Sequence, residues 1–469
     1  MAIEKSNVSS RRSAARAPAW IARLRQEMGR GPKAQAIADG LSRAVSAGEL
    51  ALGERLPTQR ALARDLGVDL TTVTRAYDQA RAQGLLAGEA GRGTYVRGAA
   101  SPAGPVIDLS MNAPPPPGEE QLRDLVGKGV AEILRNGDPA ALMNYRGGMG
   151  ARRDRAAAAS WLAPRLGDVA PSRVFVAPGA QSALAALLPM LARAGDTILA
   201  EPLTYPGFIA AARLYGFKIV AMPCDQDGPI VARLEDLCRK AKPRALYLTP
   251  TLQNPTTRTI SPARRRAIAA AARKHDLTII EDDAYGAFLP DAAPLARLAP
   301  ERVFHVSTLS KCLSPGLRTA FVVAREAAAA DTGEALRAAA QMPAPILSDL
   351  ATRWLETGIA DRLFAAVRAE SAARMRLARA ILPARAQGGP HGFHLWLSLP
   401  KGWEIPAYVA AARARGVVTV GAEAFAIDAE RPPAVRVSLG AVADREKLAH
   451  GLRALAALED GGENAGAAV

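Results

Sequence analysis

From residue 174 onward, short apolar runs alternate with Ala-rich amphipathic segments. The runs are VFVAP (174–178), TILAEP (197–202), KIVAMP (218–223), ALYLTP (245–250), TIIEDD (278–283), VFHVST (303–308) and AFVVA (320–324). Helical patterns such as 181–193, 206–215 and 262–274 lie between many of them. Short continuous apolar runs read as strands buried on both faces. Strands alternating with helices make a largely parallel sheet flanked by helices, an α/β fold. Such sheets bind ligands beyond the carboxyl ends of their strands, and the chemically able residues of this chain gather at those ends. Past about 350, a long helical stretch followed by HLWLSL, VVTV and VRVSLG describes a smaller α+β C-terminal domain.

The 469 residues suffice for two or three domains. GAASPAGP (98–105) and PPPPG (114–118) are rich in turn residues and break the pattern. The expected organisation is a flexible basic arm (1–19), a first domain (20–97), a linker (98–106), a large domain (107–350), a small domain (351–460) and a flexible tail (461–469). The net charge is +15, and the first hundred residues hold sixteen Lys and Arg against nine Asp and Glu. That excess points to a polyanion partner near the front of the chain. No stretch approaches the roughly 20 apolar residues of a membrane span, and the basic start lacks the apolar core of a signal peptide. Cys224, Cys238 and Cys312 have neither metal nor disulfide spacing, which suits a reducing cytoplasm. No metal site is expected. His275, His305, His391 and His394 read as structural or surface residues, and the basic run ARRRAIAAAARKH as a solvated helix face.

Residues 56–97 read LPTQRALARDLGVDLTTVTRAYDQARAQGLLAGEAGRGTYVR. Thr58 is placed to cap a helix reaching Leu66, which Gly67 stops; Asp69 is placed to cap a second helix. Leu62, Leu66, Val68, Val73 and Tyr77 fit the contact between the two helices. GRGTYV then turns into a short strand, a wing. A helix of this kind enters the major groove by its N-terminal turn. Thr71, Thr74 and Arg75 would point outward there, with Arg60 and Arg92 meeting phosphates or groove edges. With AIADGLSRAVSAGELALGERLP before it, the segment resembles the winged helix-turn-helix domain of GntR-type bacterial regulators. Leu70 stands where that pattern often has an arginine.

Four separated pieces of the larger part converge on one chemistry. Lys311 in STLSKCLSPGLR has an amine suited to a Schiff base once its surroundings lower its pKa. Arg318, with Thr308 and Ser310, would clamp a phosphate. Asp282 in EDDAY sits at a strand end, where a carboxylate holds a pyridine nitrogen protonated, with Tyr285 on the following turn. Asn254 in QNPTT is placed to donate to a phenolic oxygen. Together these pieces resemble the fold-type I pyridoxal-phosphate (PLP) aminotransferases, over about residues 107–460. The resemblance implies that Gly179, Ala180 and Gln181 bind the phosphate at a helix start, and that Tyr205 stacks on the cofactor ring. It further implies that Arg436 grips a substrate carboxylate and that Tyr145 reaches the cofactor phosphate of a partner subunit. The family's Asn-Pro-Thr-Gly reads Asn-Pro-Thr-Thr here, with Thr257 in place of glycine. GGMG has no dinucleotide fingerprint.

A GntR-type reader fused to an aminotransferase-like body is the architecture of the MocR-type regulators. The resemblance implies a cytoplasmic homodimer, head-to-tail and domain-swapped, that binds a double-stranded DNA operator and pyridoxal 5'-phosphate. On this reading Lys311 holds the cofactor, and an amine or amino-acid effector displaces it by forming an external aldimine. The alternative is a working aminotransferase with an accessory DNA-binding domain. A third reading, a DNA-binding protein whose body is only a dimerisation scaffold, predicts no cofactor.

Overall fold

The computed structural model describes residues 19–27, 33–46, 49–50, 54–82, 85–89, 93–96, 106–146, 148–429 and 431–460. The expected arm, most of the linker, the tail and Arg92 lie outside the described residues. The chain divides into two compact units, 1–104 and 105–469. No helix among the described residues is long and apolar enough to cross a membrane.

In the first unit, helix Gln59–Leu66 starts at Thr58, whose hydroxyl accepts from the Ala61 amide at 3.2 Å, and stops at Gly67 in the left-handed conformation (φ 69°). Helix Leu70–Ala82 follows after three residues, Gly67 to Asp69, and the Asp69 carbonyl accepts from the Thr72 amide at 3.0 Å. Leu62, Leu66, Val73 and Tyr77 join one core, and the Tyr77 hydroxyl donates to the Pro57 carbonyl at 2.8 Å. Strands Leu86–Glu89 and Gly93–Val96 pair antiparallel as a hairpin.

The second unit is built on a seven-stranded sheet. Its strands are β1 (Val174–Ala177), β2 (Thr197–Ala200), β3 (Lys218–Ala221), β4 (Ala245–Leu248), β5 (Thr278–Asp282), β6 (Val303–Thr308) and β7 (Ala320–Val323). The spatial order is β1-β7-β6-β5-β4-β2-β3. β7 runs antiparallel to both neighbours and the other pairings are parallel. Residue parity sorts the strands between two cores, as a sheet covered on both faces requires. Val174, Val176, Leu246, Leu248, Ile279 and Phe321 belong to one core. Phe175, Ala177, Ala245, Tyr247, Ile280 and Val322 belong to the other. β3 departs from the fully buried expectation: as an edge strand it is only half-buried.

A four-stranded antiparallel sheet of Ala386–Gln387, His394–Ser398, Ala434–Ser438 and Val420–Gly421 forms the small domain. Helices Ile359–Ile381, Ile405–Ala414 and Arg445–Asp460 supply the remainder of that domain. Residues Ile107–Asp108 pair with Val417–Val418, so the start of the unit is stitched to this domain near its end.

The basic run after Ser261 corrects a sequence expectation. It forms helix Pro262–Lys274, but Arg265 is fully buried instead of solvated. Its guanidinium donates to the carbonyls of Ile260, Ala293 and Pro250 and to the Thr251 hydroxyl. Arg264 is also engaged, with Asp225 and the carbonyls of Gly228 and Pro229.

Candidate cofactor site

The carboxyl ends of β1, β2, β4, β5 and β6 open onto one side of the sheet, and each is followed by a residue singled out in the sequence. Gly179 follows β1, Tyr205 follows β2, Asn254 follows β4, Asp282 ends β5, and Lys311 lies three residues past β6. Arg318 precedes β7, whose antiparallel direction brings it back to the same edge.

Gly179 is the residue before helix Ala180–Leu191, with φ at 97°. A Cβ there would lie 2.3 Å from Nη2 of Arg318, so the guanidinium rests directly on the glycine. The first amides of that helix and the Arg318 fork therefore converge, an arrangement that suits a phosphate dianion. The Gln181 side chain faces elsewhere: its Nε2 donates to the Gly207 carbonyl at 2.9 Å, and its Oε1 is buried without a partner. A Cβ on Gly207 would meet both Gln181 and the Tyr205 ring, so Gln181 braces the turn that carries Tyr205. The Thr308 hydroxyl is already engaged. It accepts from the Ser310 amide and donates to the Thr319 carbonyl, both at 3.1 Å, capping the short helix that carries Lys311. Ser310 is buried beside it.

Asp282 is buried, with Oδ2 accepting from the Tyr247 hydroxyl at 2.7 Å and Oδ1 without a partner. Burial lifts its pKa to about 6. Lys311 donates from Nζ to the Asn112 carbonyl at 2.5 Å. Burial, then the nearby Arg436, lower its pKa to about 8, against the opposing pull of Asp282. The Tyr285 hydroxyl accepts from the Asn112 side chain at 2.7 Å. Arg436 is buried; it donates to Asn254 Oδ1 at 2.7 Å and to the Ser110 carbonyl at 2.5 Å, and lies over the Phe425 ring at 4.9 Å. Its Nε has no partner. Thr257, in the family's glycine position, adopts the left-handed φ of 62° that favours glycine.

Tyr145 does not join this cluster in its own chain. It is 77 % exposed and lines a separate groove with Arg155 and Arg337. Sequence reasoning missed Asn112, Ser110 and Tyr247, whose partners lie far along the chain. His394 is buried, its ring 5.5 Å from Tyr285 and its Nε2 3.3 Å from the Gln253 carbonyl; burial holds its pKa down at about 3, so it stays neutral. In the first unit Arg60, Thr71 and Arg75 are exposed. Thr74 is half-buried, and its hydroxyl lies 2.9 Å from both Gln59 Oε1 and the Leu70 carbonyl, so it is turned inward.

The unpartnered carboxylate oxygen, the phosphate-shaped turn under Arg318 and the half-buried lysine fit pyridoxal phosphate group by group. Family models agree with the geometry. Residues 104–455 match the model for aminotransferase class I and II, and residues 33–96 match that for bacterial regulatory proteins of the gntR family. The chain belongs to the MocR-type regulators. Its relatives include the uncharacterized HTH-type transcriptional regulator YdeF of Bacillus subtilis strain 168, 30 % identical over 92 % of this chain and 95 % of the relative. The probable rhizopine catabolism regulatory protein MocR of Rhizobium meliloti is 30 % identical over 62 % of this chain and 65 % of its own. Among solved structures, LysN, the alpha-aminoadipate aminotransferase of Thermus thermophilus complexed with N-(5'-phosphopyridoxyl)-L-leucine, superposes with a TM-score of 0.68. It is 27 % identical and covers 76 % of this chain and 92 % of its own. This MocR-type chain thus couples a gntR-family DNA-binding domain to the fold of PLP-dependent aminotransferases.

Proposed function

We propose that the protein is a cytoplasmic transcription regulator that binds pyridoxal 5'-phosphate at Lys311, senses an amine or amino-acid effector there, and answers by changing its hold on a double-stranded DNA operator. The observation that carries this reading is the buried Asp282, whose Oδ1 has no partner and whose charge acts on Lys311. Pyridoxal phosphate, when bound, supplies an aldehyde that condenses with primary amines and a ring that withdraws electrons from the new bond. The chain supplies the rest. Arg318 and the amides of Ala180 and Gln181 hold the phosphate, with Ser310 and the turn capped by Thr308 behind it. Asp282 would keep the ring nitrogen protonated, Tyr205 would cover the ring, and Asn254 and Tyr285 would serve its phenolic oxygen. With a pKa of about 8, Lys311 keeps a reactive neutral fraction near neutral pH. Arg436 takes the effector's carboxylate.

An effector changes the partners of both Lys311 and Arg436. Their present acceptors, the carbonyls of Asn112 and Ser110, lie on one segment at the start of the body. A ligand shifts such a switch only by its differential affinity for the two states. Arg60, Thr71, Arg75 and Arg92 are the proposed DNA contacts. A head-to-tail homodimer would place the exposed Tyr145 against the partner subunit's cofactor phosphate. Lys311→Ala is expected to lose the yellow cofactor on dialysis and to abolish the effector's influence on DNA footprints. A Lys311→Ala protein that kept both would overturn the reading.

The second reading, a functional aminotransferase, is favoured by the complete constellation of Lys311, Asp282, Tyr205 and Arg436. Multiple turnovers with amino-acid and keto-acid pairs, without sequence-specific DNA binding, would establish it instead.

A further inference from the structure

A second cavity, of about 350 Å³, lies between the loops after β2, β3 and β4 and the small-domain sheet. That is the size of a small-molecule site. None of the groups proposed to hold the cofactor lines it. Its floor is Glu201, a buried carboxylate whose Oε2 accepts from the Thr249 amide and hydroxyl, both at 3.1 Å. No cation among the described residues lies within ion-pair distance of Glu201. Burial lifts it to about 7, against the pull of Thr249, Gln253 and the more distant Arg258 charge, and a ligand cation beside it would relieve that cost. One wall is the buried Trp396; Thr256 and Ser398 add hydroxyls. Toward solvent stands Arg258, exposed, with Nη1 on the Asp225 carbonyl at 3.2 Å and the rest of its fork free to bind an anion.

We infer that this cavity is a second ligand site, for a small zwitterion whose ammonium group meets Glu201 against the Trp396 ring and whose carboxylate meets Arg258. An aromatic ring lining the same cavity as a carboxylate favours a cationic head. The site is joined to the first by one loop. Gln253 lines the cavity, while the next residue, Asn254, bonds Arg436 on the other side. Gln253 itself is held by the Leu203 carbonyl and the Thr256 amide and hydroxyl. Because large- and small-domain residues both line the cavity, its occupant ties the two domains together.

The test uses 4-(dimethylamino)butyrate, a tertiary amine that cannot condense with an aldehyde, titrated calorimetrically into the full-length protein. Saturable binding is expected, weakened at least tenfold by Glu201→Gln and by Arg258→Gln. Ser398→Phe, which puts a large ring into the cavity lining, should abolish it. Arg436→Met should leave it within twofold. Absence of saturable binding to the unaltered protein overturns the inference. So does binding indifferent to both Glu201→Gln and Ser398→Phe, or binding lost in Arg436→Met. The inference does not rest on the Lys311 reading: a chain found to hold no pyridoxal phosphate would defeat that reading and leave this titration standing.

Discussion

Asp282 and Lys311 are moved toward neutrality from opposite sides, to about 6 and about 8. In the cofactor-free protein the lysine's lowered pKa contributes stability above its ordinary value, and that contribution fades as the pH falls through 8. The carboxyl's raised pKa contributes below its ordinary value and fades as the pH rises through 6. Between these points both groups are charged at a cost that a bound pyridinium ring and a condensed lysine relieve. The rate at which the cofactor-free protein regains its yellow colour should therefore rise with pH, with a midpoint near 8. Arg436→Met, which removes a neighbouring positive charge, should move that midpoint upward, as stopped-flow absorbance would record. Tyr247→Phe removes the hydrogen bond to Oδ2 and should weaken cofactor binding by about 1 kcal/mol, roughly fivefold in Kd by equilibrium dialysis. Lys311, Asp282, Asn254 and Arg318 were legible because the chemistry fixes residue type and order. Asn112 was not: it lies in a Pro-rich stretch resembling a boundary, just past Ile107–Asp108, which pair with Val417–Val418 some three hundred residues away.

Elements place these side chains, and their failures are local. Gly179→Ala puts a Cβ into Arg318 at a left-handed φ. The expected outcome is at least tenfold weaker retention of the cofactor on dialysis, with circular dichroism unchanged. Arg265→Leu takes the guanidinium donor from the Ile260 and Ala293 carbonyls and the Thr251 hydroxyl, and leaves the Pro250 carbonyl with the Ile260 amide alone. On the order of 3–5 kcal/mol should be lost, read from the urea midpoint. The strand–helix alternation made the sheet legible, since buried parallel strands must be apolar on both faces. The inward turn of Arg265 was hidden because its acceptors are loop carbonyls, which leave no mark on residue type. The same applies to Thr74, whose hydroxyl looked available on a helical wheel yet is held by Gln59.

At the scale of the molecule, the chain divides into two compact units at residues 104 and 105, and the first hundred residues hold sixteen Lys and Arg against nine Asp and Glu. Binding of DNA by the first unit should fall steeply with salt. Arg75→Ala, if Arg75 meets a phosphate, should reduce the slope of log K against log salt by about 1, measurable by fluorescence anisotropy. Thr74→Val should lower the melting temperature and leave the slope unchanged. The threading of residues 107–113 has a practical consequence for dissecting the protein. Those residues pair with Val417–Val418, accept from Lys311 and Arg436, and place Ala113 where a side chain on Gly440 would collide. A body cut free within 98–105 keeps its own floor. One begun at the next helix, Glu119–Asn136, would be the same fold with the lysine's acceptor removed, and a failed assay on it would say nothing about the whole chain.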